Sequence, residues 1–491
     1  MQAKKRRITT APLHDLLAVA STGEGAAAAA VPGRRARATH DDLYDLSASP
    51  PPGVGSVCLR TVARNAAAAA SLELLRATAV GKLRRMLHAL AVQNGLQAPP
   101  QLAFERWRFG CKLAEEAEAV KQPRKRPHAG AVDGSDSLLP CGAGDGGGLA
   151  ADLRRAGVAV NGAAAAAEAL LSASRAEAAA ISRAAQRLAS SGGDGGAQLS
   201  VSFHKHSLQL QAGAAFVTLQ RGAYCKLVRL FRIHGPAEEW PHAAPAAEDE
   251  ATAAEAAQLE DGAAWASREQ MHFRIFSLLL RYKTLHGAGF QAAAGPGVLS
   301  ALRDALGVSF EAFASPMNAR WAHFCSAFAD TDACFGSHGS FFQLRTLGAG
   351  AAIEVNPPFV SSLLDAAAER CLHLLQCAAE AGSALTMVYI TPAWRELKGR
   401  AQLLASPYAR LKLALAAADH GYVDGAAHGA GRVDPYRSSP YDSELLVMQS
   451  PAAAAARPLD GQAGCELEGT LRAAFAQCVP SEAALRRQGR L

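Results

Sequence analysis

No Cys-x-x-Cys pair occurs among the ten cysteines of this 491-residue chain, which are spread widely along it. His204 and His206 alternate with apolar residues near Cys225, but no second close ligand pair accompanies them, and no metal is expected. No run approaches the roughly 20 apolar residues of a membrane-spanning helix, and none is followed by a signal-cleavage pattern. Reduced thiols in an intracellular compartment, with no membrane partner, are therefore expected. Aromatic residues are scarce at 6%, and much of the 49% hydrophobic fraction is alanine. Runs such as Ala66 to Ala70 and Ala452 to Ala456 bury little area per residue, so only part of the chain is expected to form a packed core.

Charge is distributed unevenly. Met1 to Arg126 carries 20 Lys or Arg against 10 Asp or Glu, whereas Pro236 to Gly262 holds eight acids and no Lys or Arg. The basic end suits a polyanionic partner, and the acidic stretch reads as a solvated insertion. Lys4-Lys5-Arg6-Arg7 and Arg124-Lys125-Arg126 have the composition of nuclear-import patches, and a nuclear location is expected.

Residues 1–60 combine small residues, Pro50-Pro51-Pro52 and basic pairs without apolar period, as a disordered arm does. Residues 61–290 read as a mostly helical domain with Gly-rich insertions (142–148, 192–196) and an acidic one (236–262). Helices are expected over Leu72 to Val92, around Trp107, and over Ala163 to Leu188, Tyr224 to Ile233 and Gln270 to His286, with two short strands within Leu199 to Leu210. Beyond Gly295 strand and helix alternate. Strands are expected at Val308 to Phe313, ending at Val355, at Ala384 to Ile390 and at Glu444 to Met448. Helices are expected at Val298 to Leu306, Met317 to Phe328, Ser361 to Ala381 and Tyr408 to Ala418. This α/β rhythm over 295–450 implies a largely parallel sheet covered on both faces, whose ligands sit beyond the carboxyl ends of its strands. Residues 451–491 read as a dispensable tail.

Asn356-Pro357-Pro358-Phe359 follows the strand that ends at Val355. An exocyclic adenine amine is a poor nucleophile because its lone pair is delocalised into the ring. An Asn side-chain oxygen and a Pro carbonyl can each accept one of its N–H groups and draw the nitrogen toward tetrahedral geometry. Two prolines fix φ and hold the carbonyls in place, and Phe359 offers a stacking face for an unpaired base. The residues alone also fit a plain turn, with Asn as an N-cap before helix-starting prolines.

Four stretches in order resemble the cap-specific adenosine N6-methyltransferase family, also called the phosphorylated-CTD-interacting factor family. They are Phe313-Ala314-Ser315-Pro316-Met317-Asn318, the run from Phe324 to Ser337, the Asn-Pro-Pro-Phe loop, and Pro392-Ala393-Trp394-Arg395-Glu396. The resemblance is close over Gln270 to Arg400. It departs from the family pattern at Ala329, Ala333 and Ala393, where Pro, Gly and Glu are usual. It implies a Rossmann-like class I methyltransferase core preceded by a mostly helical domain, with S-adenosyl-L-methionine as cofactor. The implied reaction is transfer of a methyl group to N6 of the 2′-O-methyladenosine adjoining the 7-methylguanosine cap of RNA. Another RNA or DNA adenine methyltransferase and a catalytically silent transcription-associated scaffold are the alternatives. Vertebrate relatives open with a WW module that binds the phosphorylated RNA polymerase II tail. Here Trp240 and Trp265 flank acidic alanine-rich sequence, so no WW module is expected, and binding of that tail stays open.

On this resemblance Asn356, Pro357, Pro358 and Phe359 are the catalytic residues. Ser315, Pro316 and Asn318 belong to the first cofactor loop, although Ser315 also reads as a helix cap. Asp330 and Asp332 are paired acceptors for ribose hydroxyls or an ammonium, and Phe335, Gly336 and Ser337 belong to the pocket wall. Trp394, Arg395 and Glu396 stand at the substrate entrance, with tryptophan suited to the cationic 7-methylguanine ring. Arg281 and Arg320, with Arg274 and Lys283, are expected to line a track for RNA phosphates.

Overall fold

The Asn65 side chain starts the first helix by accepting from Ala68 N at 2.9 Å, which satisfies an amide that a helix N-terminus leaves over. Helix α1 (Ala66–Gln93) then buries Ala79, Val80, Leu83, Leu87 and Ala91, the repeat of an amphipathic helix. The computed structural model describes residues 44–55, 57, 59, 62–121, 136–142, 148–190, 196–239, 268–285, 290–345, 347–425, 435–482 and 486. The two basic patches, Trp240, Trp265 and most of the glycine-rich and acidic insertions lie outside the described residues.

Helices α2 (Ala103–Lys121), α3 (Leu149–Arg155) and α4 (Val160–Ser190) join α1 around a core that includes Trp107 and Leu170. The strands expected within 199–210 are β1 (Ser200–Phe203) and β2 (Ser207–Ala212). A third strand, β3 (Ala215–Gln220), completes an antiparallel sheet in the order β1-β2-β3. Helices α5 (Arg221–His234) and α6 (Glu269–Thr284) share a core with it through Leu227, Phe231, Ile275 and Phe276.

After the short strand β4 (Ala292–Ala293) and helix α7 (Pro296–Leu306) comes a mixed sheet. Its order is β5-β6-β10-β7, with β5 (Ala351–Val355) parallel to β6 (Leu385–Pro392) and β10 (Ser443–Gln449) antiparallel to both its neighbours, β6 and β7 (Ala409–Leu415). On the other side of β5, single parallel bridges join Glu354 to Glu311, Glu311 to Phe324, and Phe324 to Ser337. Three extended segments therefore continue the sheet outward, and the chain order reverses between the segment at Glu311 and β5. Helix α8 (Ser361–Glu380) covers one face, where Leu364 and Cys371 meet Ile353, Val355, Met387 and Tyr389. Ala352, Val388 and Ile390 point to the opposite face, under Val298 and Leu302, as the two-residue period of a strand requires.

Several expectations need correction. Residues 408–418 are not a helix: after helix α9 (Lys398–Ala405) the chain forms β7 (Ala409–Leu415), burying Leu411, Leu413 and Leu415 in alternation with exposed Arg410, Lys412 and Ala414. Good helix formers here yield to pairing with β10. Met317 to Phe328 is not a helix either, because its backbone serves the sheet edge: Cys325 N donates to Glu311 O at 2.8 Å and Ala314 N to Cys325 O at 2.9 Å. The expected strand 308–313 is extended but pairs only through single bridges at Glu311, and on the β5 side Ala312 N donates to Glu354 O and Glu354 N to Phe310 O, both at 2.8 Å. A small antiparallel sheet, β4-β8-β9, with β8 (Gly421–Asp424) and β9 (Tyr436–Ser438), was not anticipated. Residues 44–55 of the presumed arm pack Tyr44 and Val54 into the structure.

The presumed tail is also structural. It forms α10 (Pro451–Ala456) and α11 (Gly461–Ala476), and α11 buries Leu467, Leu471 and Phe475 in the core under the sheet. Leu471→Ala is expected to cost about 2 to 5 kcal/mol through the cavity it leaves, read as a lowered urea midpoint. An unchanged midpoint would return this segment to the status of a loose appendage.

Candidate active site

Glu354 and Glu311 are acids inside otherwise apolar extended segments, 2% exposed each and bridged across the sheet. Burial, and then the neighbouring Glu311, push the Glu354 carboxyl well above its usual range. Burial also raises Glu311, against the backbone amide of Arg320 and the charge of Lys226. Lys226 arrives from α5, is itself buried, and donates to Ala319 O at 2.5 Å. The opposing effect on Glu354 is a hydrogen bond from the Asn356 side chain. A carboxyl oxygen that receives the amide NH2 leaves Oδ1 of Asn356 as the acceptor for a ligand.

Beyond β5 lies a cavity of about 430 Å³. Asn356, Pro357, Pro358 and Phe359 line it, next to Ala312, Phe313 and Ala314 at the end of the neighbouring segment. The cavity therefore sits outside the carboxyl ends of two adjacent extended segments, where the chain order reverses, the usual ligand site of open α/β sheets. The Pro358 carbonyl already accepts from Val360 N at 2.7 Å. Phe359 is held by the edges of Tyr422, with ring centroids 6.2 Å apart, and of Trp394, at 6.4 Å.

The other expected site residues divide. Asn318 lines the cavity, and its Oδ1 accepts from Ser315 N at 2.7 Å. Ser315 is buried beneath, its Oγ on Gln291, and neither it nor Pro316 lines the cavity. Ser337 is one layer back, 2.7 Å from the Oγ of Ser326, which does line it. Phe335 packs on Phe231 at 5.7 Å, and Gly336 takes φ 103°, a left-handed turn where an added Cβ would strike the Ala322 carbonyl. Trp394 stands behind the rim, 5.1 Å from the cavity-lining Tyr441, while Arg395 and Glu396 are exposed in the turn beyond.

Four readings fail. Asp330 does not face the cavity: it accepts from Arg281 Nη2 at 2.9 Å and from Ser137 Oγ at 2.8 Å, and these partners hold its carboxyl far below the usual range despite burial. Asp332 accepts from Tyr282 OH at 2.6 Å, and burial pushes it up to about 6. Arg281 is fully buried between Asp330 and Glu73, so it cannot meet a phosphate. Arg320 is engaged with Ser300 and mostly buried, Arg274 is paired with Glu239, and Lys283 donates to Phe216 O, so the proposed phosphate track is not assembled. Among the described residues no group of three or more His, Cys, Asp or Glu could hold a metal.

Sequence reading missed the wall formed by Arg108, Phe109 and Lys112 of α2, and the rim formed by Tyr422, Arg437 and Tyr441. Nothing local marks these residues. Glu311 and Glu354 did carry a signal, an acid within an apolar strand, because a buried charge demands a reason.

Residues 258–425, which hold this loop, match the family described as "Phosphorylated CTD interacting factor 1 WW domain". Over 185 residues the chain is 33% identical to proteins of Mus musculus and Homo sapiens, each named mRNA (2'-O-methyladenosine-N(6)-)-methyltransferase. Over the matched stretch, the chain is similar to these methyltransferases. The alignment takes in 36% of this chain and 26% of each relative, so the chain matches about a quarter of their length. The family description names a WW domain, and the described part of the span runs from α6 to β8 and includes β5, β6 and β7 of the mixed sheet.

Arg281→Met would leave buried Glu73 and part-buried Asp330 with Arg76 alone of the two arginines that bridge them. Its expected cost is about 3 kcal/mol, the low end for a broken buried pair, measured by urea unfolding. A variant of wild-type stability with weakened RNA binding would restore Arg281 to the phosphate track.

Proposed function

We propose that this chain methylates N6 of adenosine from S-adenosyl-L-methionine, with the 2′-O-methyladenosine beside the 7-methylguanosine cap of mRNA as its substrate. The observation that carries the reading is the Asn356-Pro357-Pro358-Phe359 loop at the exit of β5, on the wall of a cavity where the strand order reverses. Counted in chain order, the segments at Ser337, Phe324 and Glu311, then β5 and β6, run 3-2-1-4-5. That is the order of a Rossmann-type sheet, and it supports a class I methyltransferase core.

The residues present fit the donor. A cavity of about 430 Å³ falls within the range of small-molecule sites, roughly 300 to 1,000 Å³. Asn318, Ser326 and the backbone of Phe313 and Ala314 would hold the donor at the first crossover. Bound there, S-adenosyl-L-methionine supplies an electrophilic methyl group. Asn356 Oδ1 accepts one N–H of the adenine amine. The carbonyl of Pro357 accepts the other, since that of Pro358 is committed to Val360. Together they bring the nitrogen lone pair out of the ring's conjugation before reaction. Phe359, braced by Tyr422 and Trp394, stacks on the base for about 1 to 3 kcal/mol. The proton leaves after the nitrogen has become cationic, so no strong base is required. A nuclear location and association with transcription belong to the same reading.

Capped RNA beginning with 2′-O-methyladenosine, incubated with purified protein and isotopically labelled donor, is expected to gain one N6-methyl group by mass spectrometry. Equal methylation of uncapped RNA or DNA would remove the cap from the substrate. Asn356→Ala is expected to lower kcat about 100- to 1,000-fold, as loss of one transition-state hydrogen bond does, and full activity would overturn the mechanism.

Glu354 is a positioning residue for Asn356. Glu354→Gln keeps an acceptor for the amide NH2 and is expected to retain most of kcat, whereas Glu354→Leu lowers kcat about 10- to 100-fold with KM unchanged. Equal behaviour of the two variants would show that Glu354 does not orient the amide.

A further inference from the structure

The cavity wall supplied by α2 holds a cation that no acid among the described residues hydrogen-bonds. Arg108 lines the cavity, is 2% exposed, and has a buried Nη2 with no hydrogen-bond partner. Its guanidinium lies over the Phe109 ring at 4.4 Å and near that of Phe328 at 5.9 Å. The acid closest in sequence, Glu105, accepts from Arg84 at 2.6 Å. Burial drives the Arg108 guanidinium down to about 9, against the charge of Glu105 and with Arg84 and Arg281 adding repulsion. A buried cation of this kind opposes folding unless something repays it, and no acid among the described residues is hydrogen-bonded to it.

The neighbouring cations are already engaged. Lys112 is paired with Glu115 at 2.8 Å, and Arg437 lies 3.7 Å from Asp424. Arg108 is thus the cavity's open seat for an anion, and its depth limits which anion can reach it. A phosphodiester continues in both directions and needs a groove open at each end. A terminal carboxylate needs only one approach, and its two oxygens match the planar fork of a guanidinium.

We propose that Arg108 binds the carboxylate at the amino-acid end of the methyl donor, so that the helical part of the chain completes the donor site. This rests on the methyl-transfer reading above. It gives α2 a role in binding that the sheet cannot supply, because the loop ends at Ala314 and Asn356 bring no cation to the cavity.

The test is calorimetric, on the full chain, with S-adenosyl-L-methionine and its decarboxylated form, which lacks only this group. Wild type is expected to bind the carboxylated form about 30-fold more tightly, the size of one charge-assisted hydrogen-bonded pair. Arg108→Met is expected to bind both forms alike, at the weaker value, and to unfold without ligand at the same temperature as wild type or higher. Arg108→Lys keeps the charge without the fork and is expected to keep part of the preference, a control should the Met variant fold poorly. An unchanged preference in both variants would overturn the proposal, as would wild type binding both forms equally. Loss of capped-RNA affinity with donor preference intact would also overturn it, by assigning Arg108 to a phosphate. Failure of wild type to bind either form would instead overturn the methyl-transfer reading itself.

Discussion

Two acidic residues bridged inside a sheet set the geometry on which the rest depends. Glu311 and Glu354 lie on adjacent parallel segments, and the hydrogen bonds on either side of Glu354 fix their register. With that register, the chain leaves the sheet at Phe313 on one segment and at Asn356 on the next, and both exits border one cavity. Placing two carboxyls together in the core is costly. The structure offsets the cost with the Arg320 amide and Lys226 on Glu311, and with the Asn356 amide on Glu354. The group that stabilises the pair is also the head of the candidate catalytic loop, so packing and chemistry share a contact.

Lys226 and Arg281 show why the helical part and the sheet act together. Lys226 projects from α5 onto carbonyls of the loop after the Glu311 segment. Arg281 projects from α6 and joins Glu73 of α1 to Asp330. Both cations are buried, where breaking a pair costs far more than at a surface. Helix α2 is therefore carried against the cavity by a cross-braced framework, and Arg108 and Phe109 become part of its wall.

The main elements around the site were legible in the sequence because each carried a complete local signal. Ala351 to Val355 is apolar and bounded by Asn-Pro-Pro, and the apolar repeat of Ser361 to Ala381 runs for five turns. The errors fell where local preference and tertiary pairing disagree. Tyr408 to Ala418 is rich in Leu, Ala and Lys, good helix formers, yet its two-residue alternation matched an open edge of β10. Met317 to Phe328 carries apolar residues at spacings that fit a helix, but its amides are committed to neighbouring segments. The last 40 residues looked weak because alanine dilutes their apolar face, although Leu471 and Phe475 are fully buried.

Sequence by itself determined the candidate loop, its place after a strand, the α/β rhythm around it and the resemblance that gives the loop a chemistry, since these depend on residues adjacent in the chain. Tertiary structure alone decided which charges are spent on the fold and which remain for a ligand. Asp330, Arg281 and Arg274 resembled site residues until their partners, distant in sequence, were seen to satisfy them. Arg108 resembled an ordinary helix residue until its buried Nη2 was seen to have no hydrogen-bond partner. The reason is physical: a charge's role is set by the groups within a few ångströms of it, and folding chooses those groups from anywhere in the chain.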